Sequence, residues 1–109
     1  MDHPALSAID AQAAAWSRGD LDGYMAHVHP DVVYLRPGGL IRGRDALAAR
    51  YRAGGPMAPL TVTVLDAELG TEHASIVLSW ATGGQSGQAL VVFVPTPAGW
   101  KMRHDATLG

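Results

Sequence analysis

Between Pro4 and Ser17 the larger apolar side chains fall at Leu6, Ile9, Ala13 and Trp16, spacings of three, four and three that share one helical face. Pro4 suits the first turn of that helix and Gly19 its exit. Asp20 can cap a second helix, in which Leu21, Tyr24, Met25 and Val28 share a face before Pro30 ends it. The β-branched and aromatic run Val32-Val33-Tyr34-Leu35-Arg36 is followed by Pro37-Gly38-Gly39 and resumes at Leu40-Ile41-Arg42, which predicts a hairpin. Helical spacing returns over Arg44–Ala53, with Leu47, Arg50 and Tyr51 on one side. After Gly54-Gly55-Pro56 the period changes to two, and four strands are predicted: Leu60–Leu69, Ala74–Thr82, 88–94 and 100–107. Helices come first and a meander of strands comes last.

The strands differ in how they want to be covered. In Ala74–Thr82 the residues Ala74, Ile76, Leu78 and Trp80 alternate with Ser75, Val77 and Ser79, giving one apolar face. Over 88–94 both faces are apolar, Leu90, Val92 and Val94 on one and Ala89, Val91 and Phe93 on the other. The helices can cover one side, and the other suits a second copy of the chain in a sheet-to-sheet homodimer. In Leu60–Leu69 the apolar parity switches near Val64-Leu65, as a β-bulge would make it do.

At 109 residues the chain has room for one domain, and 48% apolar against 17% charged residues is the balance of a globule rather than a disordered segment. A net charge of -2 gives no general attraction to polyanions, so nucleic acid is not an expected partner. Without cysteine there are no disulfides and no thiolate chemistry. The opening residues lack the basic start and apolar block of a secretory signal, and no segment approaches ~20 consecutive apolar residues. A cytoplasmic protein without a membrane span is expected.

The chemistry centres on the last strand. Neighbouring residues of a strand point to opposite faces, so His104 and Asp105 cannot share a cavity unless a bulge intervenes. Parity groups His104 with Trp100, Met102 and Ala106 and sends Asp105 away with Lys101, Arg103 and Thr107. His104 is then the inward group, either a base near neutral pH or a core histidine satisfied by a carbonyl or by Tyr34 or Tyr51. The phenols of Tyr34 and Tyr51 can orient a carbonyl or hold a developing oxyanion. Trp16, Trp80, Trp100 and Met102 suit the walls of an apolar pocket. His27 and His29, with Asp31, lack a third ligand at metal-binding spacing, so no metal is expected. Arg36, Arg42, Arg44, Arg50 and Arg52 form a basic stretch interrupted by Asp45, which is either a solvated, ion-paired surface or a site for an anionic group. Ser75, Ser79 and Ser86 lack the flanking glycines of a nucleophile elbow.

Four segments in this order, Ala15-Trp16 to Gly19-Asp20, Asp31-Val32-Val33 to Gly38-Gly39, Arg42-Gly43-Arg44-Asp45-Ala46-Leu47, and Gly99-Trp100-Lys101-Met102-Arg103-His104-Asp105, resemble the nuclear-transport-factor-2-like superfamily, in particular its SnoaL-like or DUF4440-type branch. The resemblance spans nearly the whole chain. It implies a cone-shaped α+β fold in which N-terminal helices pack into a curved mixed sheet, leave a pocket at the open end and pair through the sheet. Such folds serve ketosteroid isomerases, polyketide cyclases and dehydratases as well as association and transport modules. The catalytic ones use an inward carboxylate or histidine as base, with phenols or acids polarising a carbonyl. Ala106 and Leu108 stand where DUF4440-type sequences often carry a second histidine and a serine, which weakens any two-histidine site. The expectation is a single domain over 1–109 that binds an apolar or carbonyl-bearing small molecule without a cofactor. His104 would be its base, Tyr34 and Tyr51 its polar contacts, and Trp16, Trp80, Trp100 and Met102 its walls. The alternative is a non-catalytic association module that uses the outer face of the sheet.

Overall fold

The computed structural model describes residues 3–108. Three helices, α1 (Pro4–Ser17), α2 (Leu21–Met25) and α3 (Arg44–Ala53), pack on one face of a six-stranded sheet. The strands are β1 (Val28–Arg36), β2 (Gly39–Arg42), β3 (Leu60–Leu69), β4 (Ala74–Thr82), β5 (Gln85–Thr96) and β6 (Gly99–Leu108), in the spatial order β2-β1-β6-β5-β4-β3. β1 and β6 run parallel and every other pair antiparallel, so the sheet is mixed and the last four strands form the expected meander. Among the described residues no helix is long and apolar enough to cross a membrane.

Local chemistry sets the element ends. The His3 ring caps α1, its Nδ1 accepting the Ala5 N–H at 3.0 Å while Nε2–H donates to the Gly70 carbonyl at 2.8 Å. An Asp20 carboxylate oxygen accepts the Gly23 N–H at 2.9 Å and so caps α2. In the β1–β2 hairpin Gly38 takes φ 98°, a left-handed conformation in which a side chain would be strained.

Two helices depart from the sequence reading. α1 turns Ala5, Ala8, Ile9, Gln12 and Ala15 into the core, leaving Leu6 and Trp16 at its flank, because small side chains let the helix approach the hollow of the sheet. α2 stops at Met25, and Val28 already belongs to β1. Pro30 falls where the β1–β6 pairing skips from Val28 to Val33, a stretch that asks for no ladder N–H.

The concave face carries the core: Ala74, Ile76 and Leu78 from β4 and Ala89, Val91 and Phe93 from β5, with Phe93 and Ile76 fully buried. Leu90 lies on the opposite face of β5 and is 46% exposed. Two bulges curve the sheet. One inserts Leu65 between the pairs Val64–Leu78 and Asp66–Val77, at the position that the parity switch predicted. The other lies in β6, where Val92 faces His104 and Phe93 faces Met102, so that Arg103 is the extra residue.

Candidate functional site

The bulge at Arg103 decides which group enters the fold. One extra residue reverses the alternation beyond it, so Met102 and Asp105 both point to the concave side although they are three apart. Asp105 is brought level with Tyr34 of β1 and Val91 of β5 and is 8% exposed. His104 faces the other way and is exposed. The parity argument that made His104 inward and sent Asp105 away is therefore corrected: it holds up to Met102 and inverts after Arg103.

Asp105 closes the floor of a cavity of about 230 Å³ between the helices and the sheet. Ile9 and Ala13 of α1, Leu60 and Val62 of β3, Leu78 of β4, and Ala89, Val91 and Phe93 of β5 supply apolar walls. Trp16, Trp80 and Met102 line it too, and so do Tyr34 and Tyr51. Trp100 does not; its indole packs edge-on against the His3 ring at 4.6 Å, at the start of α1. Tyr24 and Gln12 are lining residues that the sequence reading treated only as helix residues. Their spacing on amphipathic helices gave no sign that the helical face lined a cavity.

The aromatic groups form one cluster. The Trp16 ring meets Tyr24 and Tyr51 edge-on at 5.3 and 5.0 Å, and Tyr34 stands 6.2 Å from Tyr51. The Tyr24 and Tyr51 hydroxyls are 3.4 Å apart. Trp80 is held from behind, its Nε1–H donating to the Thr107 hydroxyl at 3.1 Å. Its ring lies over Gly87, where a Cβ would meet the indole at 2.8 Å, so the absence of a side chain at Gly87 lets Trp80 reach the cavity.

Among the described residues three buried polar side-chain atoms have no hydrogen-bond partner: Gln12 Nε2, Trp16 Nε1 and Asp105 Oδ1. Two are donors and one is an acceptor. Buried polar atoms are nearly always paired, and an unpaired one costs about 1–3 kcal/mol. All three belong to residues that line the cavity, two on α1 and one on β6. Burial also moves the acids. With no partner to stabilise its charge, the Asp105 carboxyl is pushed up to about 7. Burial raises the Tyr24, Tyr34 and Tyr51 phenols, with the nearby Asp105 adding to each, so all three stay protonated as donors at neutral pH. His104 is moved the other way, lowered by partial burial and by Arg103.

The SnoaL-like domain model matches residues 9–106, from the cavity face of α1 to the strand that carries Asp105. The chain belongs to the SnoaL-like family. Solved structures agree on the fold. An NTF-2 like protein of unknown function from Shewanella oneidensis MR-1 is similar over 97% of both chains, with a TM-score of 0.89 and 21% identity. A putative calcium/calmodulin-dependent protein kinase type II association domain from Thiobacillus denitrificans has a TM-score of 0.79 and 22% identity, over 94% of this chain and 91% of that one. A ketosteroid isomerase-like protein from Erwinia carotovora atroseptica has a TM-score of 0.75 and 19% identity, over 94% and 90%. No curated protein sequence matches this one.

Proposed function

We propose that this SnoaL-like domain binds a small carbonyl compound of one or two rings in its cavity and moves a proton next to the carbonyl, with Asp105 as the base. The observation that carries this reading is a buried carboxyl, shifted to about 7 and without a partner, in the same apolar cavity as two residues, Gln12 and Trp16, with unpaired N–H donors. The size follows from the volume: an engineered apolar cavity of ~150 Å³ takes up benzene, and about 230 Å³ leaves room for little more than a second ring.

The ionised Asp105 removes a proton from the carbon beside the carbonyl. The C–H electron pair becomes the C=C bond of an enolate, and the carbonyl oxygen takes the negative charge. The Trp16 and Gln12 N–H groups stabilise that charge by hydrogen bonds inside a cavity with few competing waters. Asp105, now protonated, exchanges its proton with solvent and delivers one to the same carbon, or, where a further C=C bond makes the enolate a dienolate, delivers its proton to the far carbon. The first outcome is exchange and the second isomerisation, and neither needs a cofactor.

The test is α-proton exchange of 2-tetralone in deuterated buffer, followed by NMR. The wild type is expected to accelerate it, Trp16→Phe to slow it about tenfold through loss of one donor, and Asp105→Asn to remove the acceleration. Equal rates for wild type and Asp105→Asn would overturn the assignment of the base.

A second reading rests on the outer face of β5 and β6, where Leu90 and Leu108 are 46% and 68% exposed and Val92 and Val94 are half-buried. The similarity to a putative association domain supports it. In this reading the chain pairs with a second copy across that face. Native mass spectrometry is expected to give a dimer for the wild type and a monomer for Leu90→Arg; a monomeric wild type would sink it.

A further inference from the structure

A second space of about 380 Å³ adjoins the cavity on the side of the exposed residues Pro37, Gly54, Gly55 and Pro56. Trp16, Tyr34, Tyr51 and Trp80 line both, so the outer space is the vestibule of the inner one. Two arginines line this vestibule, Arg36 at the end of β1 and Arg50 on α3, and among the described residues no aspartate or glutamate does. Among the described residues neither arginine forms an ion pair, and nor do Arg42, Arg44, Lys101 and Arg103, so what distinguishes Arg36 and Arg50 is that they share one cavity lining. The chain carries more acids than bases, with a net charge of -2, so two uncompensated arginines at one cavity mouth do not follow from its general charge. Both lie close enough to act on the Tyr34 phenol, on which Asp105 acts from the inner side. Tyr34 thus stands between a carboxyl in the interior and two cations at the entrance.

We infer that the vestibule is an anion subsite, and that the ligand is an amphipathic acid whose neutral carbonyl ring enters the cavity while its carboxylate or phosphate stays outside on Arg36 and Arg50. The charges fix this orientation. An anion placed inward would meet Asp105 with no cation beside it, whereas at the mouth it meets two guanidinium groups suited to oxyanions. The inference rests on the small-molecule reading of the cavity, and it adds that the ligand is charged and enters ring first.

The experiment compares 4-(4-acetylphenyl)butanoate with its neutral primary amide, titrated against the full chain by tryptophan fluorescence and calorimetry. In the wild type the carboxylate is expected to bind about tenfold more tightly than the amide, a partly solvated charged contact at each arginine sufficing for that ratio. The preference should shrink as salt rises and approach one in Arg36→Gln/Arg50→Gln. Salt dependence in the wild type carries the test if the double variant fails to fold. Equal binding of acid and amide would overturn the anion subsite and leave the cavity reading standing. Failure of both compounds to bind at millimolar concentration would overturn both.

Discussion

Asp105→Asn is expected to cost 2-tetralone exchange about 10²–10⁴-fold, the usual contribution of a positioned base, and at the same time to make the protein more stable above neutral pH. The two effects share one cause. A carboxyl buried without a partner is an effective base near pH 7 because its charged form is poorly stabilised, and that charged form burdens the fold. In the unfolded chain the group titrates near its ordinary value of 3.8, and in the fold at about 7. Below about pH 4 both states are protonated and the group is no burden. As pH rises from about 4 through 7 the unfolded chain gives up its proton while the folded protein holds it, so stability is lost progressively until the folded group also ionises. The full shift corresponds to about 4 kcal/mol, and a gain of about 2–4 kcal/mol for Asp105→Asn near pH 8 is expected, shrinking towards zero near pH 4. Urea unfolding of both proteins across this range reads the difference directly. Parallel stability curves would mean that the carboxyl is solvated or paired.

Phe93→Ala is expected to cost about 3–5 kcal/mol, roughly a fifth or more of the stability of an ordinary domain. Phe93 is fully buried and forms part of the cavity wall, so its ring serves both the core and the site. The deletion removes a large apolar contact, and the neighbouring strands, hydrogen-bonded on both sides of β5, cannot close over the gap. The emptied space would join the existing cavity, so ligands with an extra ring should gain affinity relative to 2-tetralone. Urea denaturation gives the stability loss. A loss below about 1 kcal/mol would show that the ring is not packed as described.

The fold was legible where the chain repeats one period without interruption. α1, α3, the β1–β2 hairpin and the four-strand meander follow from apolar spacing and from the glycine and proline breaks. The bulge at Leu65 was visible because apolar residues flank it on opposite parities: Val62 and Val64 before it, Ala67 and Leu69 after it. The bulge at Arg103 performs the same reversal and left no such trace. Beyond it the residues that point inward, Asp105 and Thr107, are polar because they face a cavity, while Ala106 and Leu108 on the outer face are apolar. The hydrophobic pattern therefore continued unbroken through a point where the backbone switched sides. Parity identifies the buried face only when that face is apolar, and a functional pocket is where that condition fails. Tyr34 and Tyr51 were readable as polar-tipped aromatics, and Trp16 and Trp80 as walls. Trp100 was misplaced because its partner, His3, is 97 residues away in the chain. Gln12 and Tyr24 looked like ordinary helix residues, since only the assembled fold shows what their helical faces meet.

The most direct test is the titration of the Asp105 side-chain carboxyl itself, followed by ¹³C NMR in protein labelled at aspartate, with Asp105→Asn identifying the resonance. A midpoint of about 7 is the result expected for a carboxyl held without a partner in the cavity floor. A midpoint near 3.8, the ordinary value, would place that carboxyl in water or beside a cation and would contradict its assignment as the base.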